Sequence, residues 1–253
     1  MSTPYPRFEP EIVYPHCDGK PVAESDFQLE PLLYSIDALK THFQERQDVY
    51  VAGDMFFYYV EGDPKQVVAP DVFVVFGVDK HKRFSYKLWQ EGKAPAFILE
   101  ITSKSTQAED QGAKRGTYAY LGVKEYWLFD ATGDYLNPSL QGNRLVGDSY
   151  QTITDSKIAH GGMLTLYSEA LGLELCSKEG VLRFYDPVAK QYLLSYAEAE
   201  QARQQAEQAQ QQAEQARLNA EQRATDEAAA RSAAEARIAE LEAQLQKLQS
   251  SQK

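Results

Sequence analysis

A seven-residue repeat closes this chain and permits it one secondary structure. AEQA recurs at 199, 206 and 213, and returns as AEQR at 220; alanines at 199, 202, 206, 209, 213, 216 and 220 alternate spacings of three and four. That rhythm keeps one stripe on one side of a helix and is the seam of a coiled coil. A second seam, Ile238, Leu241, Leu245 and Leu248, follows out of phase, with the slip in the alanine-rich stretch between 221 and 237. A wholly helical tail would be about 80 Å long at 1.5 Å per residue. Alanine favours helix but buries little, so Leu241, Leu245 and Leu248 should do most of the clamping if copies pair into a dimer. The plainer alternative is a lone charged helix. Ahead of the repeat, composition changes: residues 1–196 are mixed, aromatic-rich and punctuated by Gly and Pro, enough for one core, whereas 197–253 are mostly Ala, Gln, Glu and Arg.

Charge narrows the partners. The chain carries −11; the tail holds 10 acids and 7 bases, which leaves the body at −8. Strong nonspecific attachment to a phosphate backbone needs clustered Lys and Arg, so any such contact must be a local groove. The two candidate clusters are Lys80, Lys82, Arg83 and Lys87, and Lys104, Lys114, Arg115 and Lys124, with solvated surface as the plain alternative. No apolar run of about 18 residues spans a membrane. The first residues lack the apolar stretch of a secretory signal, which points to a cytoplasmic setting. Cys17 and Cys176 have no metal-ligand spacing and no expected disulfide there, and the histidines at 16, 42, 81 and 160 form no cluster. Phosphate-binding glycine loops and nucleophile elbows are absent from the sequence.

Periodicity lays out the body. Residues 26–46 place Leu29, Leu32, Leu33, Ile36, Leu39 and Phe43 at helical spacing, with Pro31 near the first turn. Strands are expected at 49–60, across VAPDVFVVFGV, across PAFILEIT and at 125–131; the charged 79–94 stretch reads as a loop with a short helix. A helix after Ser105 or Thr106 ends at Gly122. The order implies an α/β fold, a mixed β-sheet core flanked by helices. Short β segments from 132 to 195 suggest a small meander added to that core. Trp127 and Tyr126 read as core, Asp130 as a strand closure, and Trp89 as a packing anchor or groove lip.

Two acids interrupt these apolar runs. Asp71 precedes Val72–Phe76 and Glu100 follows Phe97–Leu99, 29 residues apart. A carboxylate at the end of a buried strand is costly unless something pairs with it, and a divalent cation would relieve two at once. On the next helix Asp110, Lys114 and Tyr118 fall at i, i+4 and i+8 and share one face. That face either looks toward the acids or carries an ordinary surface salt bridge.

These residues together resemble the Uma2 family, within the PD-(D/E)XK restriction-endonuclease-like superfamily. The likeness lies in Pro70-Asp71, in LEITSKST from Leu99 to Thr106, in Asp110, Lys114 and Tyr118, and in Gly122 to Asp130, and covers roughly residues 10–190. The tail lies outside it. The resemblance implies a restriction-endonuclease-like sheet, with Asp71, Glu100 and the Ile101 carbonyl binding Mg²⁺ or Mn²⁺. The superfamily lysine normally lies two residues after the Glu; that position here is Thr102. Lys114 is the first replacement and Lys104 the second, and Glu24 and Glu30 are candidates for a further carboxylate from the first helix or its approach.

The expected function is therefore metal-dependent endonuclease cleavage of DNA phosphodiester bonds, with Asp71, Glu100 and Lys114 as catalytic residues and the C-terminal helix joining two copies. A different class of reading is an inactive nuclease-fold scaffold whose tail docks partners. A nuclease acting on RNA or small nucleotides is a third.

Overall fold

The computed structural model describes residues 12–17, 25–104 and 106–250, with side chains through residue 244. Glu24, Ser105 and the side chains of Leu245 and Leu248 lie outside the described residues. The chain divides into two compact units, residues 1–196 and 197–253.

The first unit runs α1 (Asp26–His42), β1 (Val49–Ala52), β2 (Phe57–Tyr58), β3 (Val67–Val68), β4 (Val72–Phe76), β5 (Tyr86–Lys87), α2 (Leu88–Glu91) and β6 (Phe97–Ile101). A helix follows in three parts: α3 (Gln107–Glu109), a π-helical turn (Asp110–Lys114) and α4 (Arg115–Tyr120). Then come β7 (Glu125–Phe129), β8 (Leu140–Val146) and β9 (Ser149–Thr152). The unit finishes with β10 (Lys157–Ala159), β11 (Met163–Ser168), β12 (Leu173–Lys178), β13 (Val181–Asp186) and β14 (Gln191–Tyr192). This is a mixed α/β fold.

The central sheet has the order β1-β4-β6-β7-β8-β9. Its one parallel pair is β6 with β7; the rest are antiparallel. Parallel neighbours need a crossover, and the 107–120 helix provides it. Side chains alternate across the sheet, so each strand feeds two cores. On one face Val72, Val74, Phe97, Leu99, Trp127 and Phe129 pack with Leu32, Ala38 and Leu39 of α1 and with the five-stranded sheet β10–β14 through Leu173, Leu175 and Phe184. On the other face Phe73, Val75, Ile98, Tyr126 and Leu128 pack with Tyr118 and with Phe57 and Tyr86 of the small sheet β3-β2-β5.

Three local outcomes differ from the periodicity. The run 49–60 forms strands of two different sheets, β1 and β2. The break lies at Gly53-Asp54, where Asp54 has φ 47° and a Cβ on Gly53 would sit 2.1 Å from the Asp71 carbonyl oxygen. Only glycine allows that approach. The VAPDVFVVFGV run likewise splits into β3 and β4 around Pro70, whose nitrogen has no hydrogen to donate to a ladder. Third, β8 and β9 extend the central sheet, so the five-stranded meander begins only at β10.

The helix boundaries have local causes. The first helix stops at His42, and the Lys80 ammonium donates to the carbonyls of Phe43 (2.6 Å) and Gln44 (2.8 Å) just beyond it, complementing the negative helix end. After α4 the chain turns at Gly122 with φ 77°, and the N–H groups of Gly122 and Val123 return to the carbonyls of Ala119 and Tyr118. That is a Schellman stop, which needs a left-handed residue.

The second unit is helical throughout its described length, α5 (Tyr196–Ser250). Residues 201–244 are exposed, including the alanine seam from Ala202 onward. Ion pairs one turn apart brace it, among them Arg203–Glu200 (2.7 Å), Arg217–Glu214 (2.9 Å) and Arg231–Glu235 (3.0 Å). Among the described residues no helix is long and apolar enough to cross a membrane.

Candidate active site

The antiparallel register of β4 on β6 pairs Val72 with Leu99. One further step sets Asp71 opposite Glu100, so adjacent strand ends bring together two acids 29 residues apart in sequence. Alternation puts both on the sheet face covered by the crossover helix, with Phe73 and Ile98. Glu100 is fully buried. Asp71 is part-buried and takes the Ile101 N–H on Oδ2 at 2.6 Å. Its Oδ1 accepts no hydrogen bond among the described residues.

The helix supplies the counter-groups. Lys114 Nζ lies 2.9 Å from Glu100 Oε2 and 3.1 Å from Asp110 Oδ1. Tyr118 donates its hydroxyl to Glu100 Oε1 at 2.6 Å. Asp110 is buried, and the Tyr126 hydroxyl donates to its backbone carbonyl at 2.7 Å. The face formed by Asp110, Lys114 and Tyr118 therefore turns into the body; the surface salt-bridge alternative does not hold. The helix is widened by its π turn from Asp110 to Lys114, a distortion found frequently at functional sites.

Three carboxyl groups thus share one ammonium, and the electrostatics register the imbalance. Burial, then the facing Glu100, pushes the Asp71 carboxyl well above the usual carboxylate range, despite the Ile101 N–H and Lys114. Burial also raises Glu100; Lys114 and Tyr118 pull it down while Asp110 pushes it up. For Lys114 burial disfavours the charge, but Glu100, Asp110 and Asp71 together outweigh it and hold the ammonium protonated above the free-lysine range. Burial and Glu100 raise the Tyr118 phenol, which stays a hydrogen-bond donor.

The remaining candidates separate cleanly. Lys104 is exposed, so Lys114 is the lysine at the acid pair. Glu30 is exposed on α1, the helix packed against the opposite face of the sheet, and is not brought to the acids. Thr102 is buried, with an Oγ1 that has no partner among the described residues. Ile101 turns its side chain to the α1 core and its N–H to Asp71. Asp130 closes β7 by accepting from the N–H groups of Thr132, Gly133, Tyr135 and Leu136. Trp127 and Tyr126 are core, and Trp89 packs on Tyr14 at 5.1 Å between ring centroids. Asp110 and Tyr118 stand out from sequence by their helical spacing with Lys114 and by the family resemblance; the π turn has no sequence signal that we can name.

Does this donor set suit a divalent cation? Among the described residues no three His, Cys, Asp or Glu side chains gather into a metal cage. Mg²⁺ does not need one: it is commonly held by one or two carboxylates, with waters and substrate oxygens completing the shell. Asp71 Oδ1 has open acceptor capacity, and each Glu100 oxygen keeps a second lone pair beyond its one hydrogen bond. The excess negative charge favours a cation. The hard oxygens fit Mg²⁺ or Mn²⁺ and suit softer, thiolate-seeking metals poorly.

Among solved structures, the chain is similar to a DUF820 protein from Anabaena variabilis, described as a "putative nuclease". That crystal structure aligns with 62% of this chain and 81% of its own at 12% identity and a TM-score of 0.44. No curated protein matches the chain. The family model of Uma2, described as "Putative restriction endonuclease", matches residues 4–175. That stretch takes in every strand of the six-stranded sheet and the whole acid–lysine cluster, and on a match of that extent the chain belongs to the Uma2 family.

Proposed function

We propose that the protein is a metal-dependent endonuclease that hydrolyses phosphodiester bonds in DNA. The observation that carries this reading is the acid pair Asp71–Glu100 at two adjacent strand ends, with Lys114 on Glu100. Asp71 and Glu100 would hold Mg²⁺ or Mn²⁺, with the Ile101 carbonyl as a third oxygen. Such an ion, when bound, polarises a phosphoryl oxygen and lowers the pKa of a coordinated water. Lys114 would meet the negative charge that develops on the phosphate, in place of the lysine that Thr102 does not supply. Tyr118 orients Glu100 through its 2.6 Å hydrogen bond. The family description, a restriction endonuclease, supports DNA as the substrate. The two free cysteines suit a cytoplasmic setting.

Self-association belongs to the same reading. Residues 201–244 leave the heptad seam exposed, and a long helix gains most of its stability from packing. A second copy of the helix would cover that seam, and a dimer would suit cutting both strands. The same exposed helix favours the second reading, a nuclease-fold scaffold that docks partners without turnover.

Cleavage of supercoiled plasmid decides between them. Wild type should nick with Mg²⁺ or Mn²⁺ and stop with chelator, while Asp71→Ala and Glu100→Ala lose about 100-fold or more. Equal background in all three folded proteins would favour the scaffold.

A further inference from the structure

A basic cleft lies along the β1 edge of the central sheet. It encloses about 520 Å³ and is lined along its floor by residues 49–53 and along its rim by Lys40, Lys80, Lys82 and Arg83. Among the described residues no Asp or Glu lines it, in a chain whose net charge is −11. Among the described strands β1 is an outer strand of the central sheet, hydrogen-bonded to β4 alone, so its other edge turns backbone groups toward the cleft. Sheet edges of this kind can bind anions.

The basic groups divide by role. Arg83 is committed: it pairs with Glu91 at 2.6 and 2.7 Å and lies over the Tyr50 ring at 4.2 Å, forming a fixed wall. Lys80 anchors the end of α1 through two carbonyls but keeps its charge in the cleft. Lys40 and Lys82 are exposed and have no acidic partner among the described residues. Phe43, Val49 and Met55 add apolar wall. The floor ends at Gly53, whose backbone presses on the Asp71 carbonyl. From Val49 to Gly53 the floor is about 13 Å long at 3.3 Å per residue, and it leads to the strand end that carries Asp71.

We propose that this cleft is the docking groove for the phosphodiester backbone of the nucleic acid, guiding it along β1 to Asp71. Lys40 and Lys82 are the groups that pair with phosphates, while Lys80 adds field and Arg83 shape. The proposal rests on the nuclease reading of the acid pair and adds where the polymer enters.

The test is equilibrium binding of a labelled 20-nucleotide DNA, and of an RNA of the same sequence, in chelator and across a salt series. The proteins are wild type, Lys40→Glu/Lys82→Glu, and a control of equal charge change away from the cleft, Lys65→Glu/Lys190→Glu. The cleft variant should bind at least 10-fold more weakly, with the salt slope falling by about 1.4 for two lost phosphate contacts on a single strand. The control should stay within about 3-fold. Equal weakening of DNA and RNA marks a pure backbone contact; weakening of one alone still supports the groove and names the polymer. Undiminished binding by the cleft variant, or equal loss in both double variants, would overturn the groove while plasmid nicking by wild type leaves the nuclease reading standing. A wild type that binds neither polymer overturns the groove, and the nicking assay then reports separately on the acid pair.

Discussion

Two buried glutamates on neighbouring strands show how differently the same residue is used. Glu100 sits at the end of β6, and Glu125 begins β7; both are almost wholly buried, but they face opposite sides of the sheet. Glu125 accepts from both Nε and Nη2 of Arg144, from Trp127 Nε1, from the Ser168 hydroxyl at 2.5 Å and from the Glu169 N–H at 2.9 Å. Its charge is met by an arginine and its lone pairs are filled. Glu100 has two donors, and one of these, Lys114, is shared with Asp110 while Asp71 stands opposite. A saturated buried acid ties elements together. An under-compensated group of acids is held at a cost by the rest of the fold and is the arrangement expected where a cation or a phosphate is handled.

The largest test of that contrast removes the shared cation. Lys114→Met leaves three carboxyl groups around an apolar chain and should destabilise the body by about 3–5 kcal/mol in urea unfolding. Millimolar Mg²⁺ should return part of the loss, because an ion held at Asp71 and Glu100 would bind the folded state alone. A variant as stable as wild type, or indifferent to Mg²⁺, would break the comparison on the Glu100 side.

Next in size is the paired exchange of the two glutamates. Glu125→Gln removes the buried carboxylate on Arg144, which keeps only the exposed Glu169 at 2.9 Å, and should cost about 3 kcal/mol of stability with little change in nicking. Glu100→Gln should do the reverse, costing less stability than Glu125→Gln and abolishing nicking. Similar stability losses in both variants would show that the donor count does not separate the two sites.

The smallest effect is a pH dependence. Asp71 has a folded pKa above its unfolded value, so between those two values the folded state holds a proton that the unfolded state has released. Stability from this group is therefore present at low pH and lost as pH rises through the window that opens near pH 4, with a slope of at most about 1.4 kcal/mol per pH unit for one proton. The Asp71→Asn variant cannot titrate at this position, and its side-chain carbonyl oxygen can still take the Ile101 N–H. Its stability relative to wild type should grow as pH rises above about 4 in parallel denaturant titrations. A constant or shrinking gap would mean that the acid pair is fully compensated, like Glu125.

Much of this site is legible in sequence because its cues are local. An acid beside Val72–Phe76, another after Phe97–Leu99, and a lysine between Asp110 and Tyr118 at helical spacing pick out its members without coordinates. Glu125 shows where such cues stop. It too stands against an apolar run, Tyr126 to Phe129, and carries the same local signature as Glu100. Likewise Glu30 and Lys104 are as available as Lys114 until the sheet is built.

By itself, then, the sequence determined the helical tail, the α/β layout and the acids that interrupt buried strands, since each follows from periodicity and burial over short stretches of chain. Only the tertiary structure decided which acids meet and what meets them. The register of β4 on β6 sets Asp71 against Glu100, the crossover between β6 and β7 lays Lys114 and Tyr118 over that face, and α1 with Glu30 covers the other. The splitting of 49–60 into two sheets and the addition of β8 and β9 to the central sheet belong to the same category. Pairing between strands depends on partners far apart in the chain, and the compensation of a buried charge depends on which element packs over it, so neither is written in the residues beside that charge.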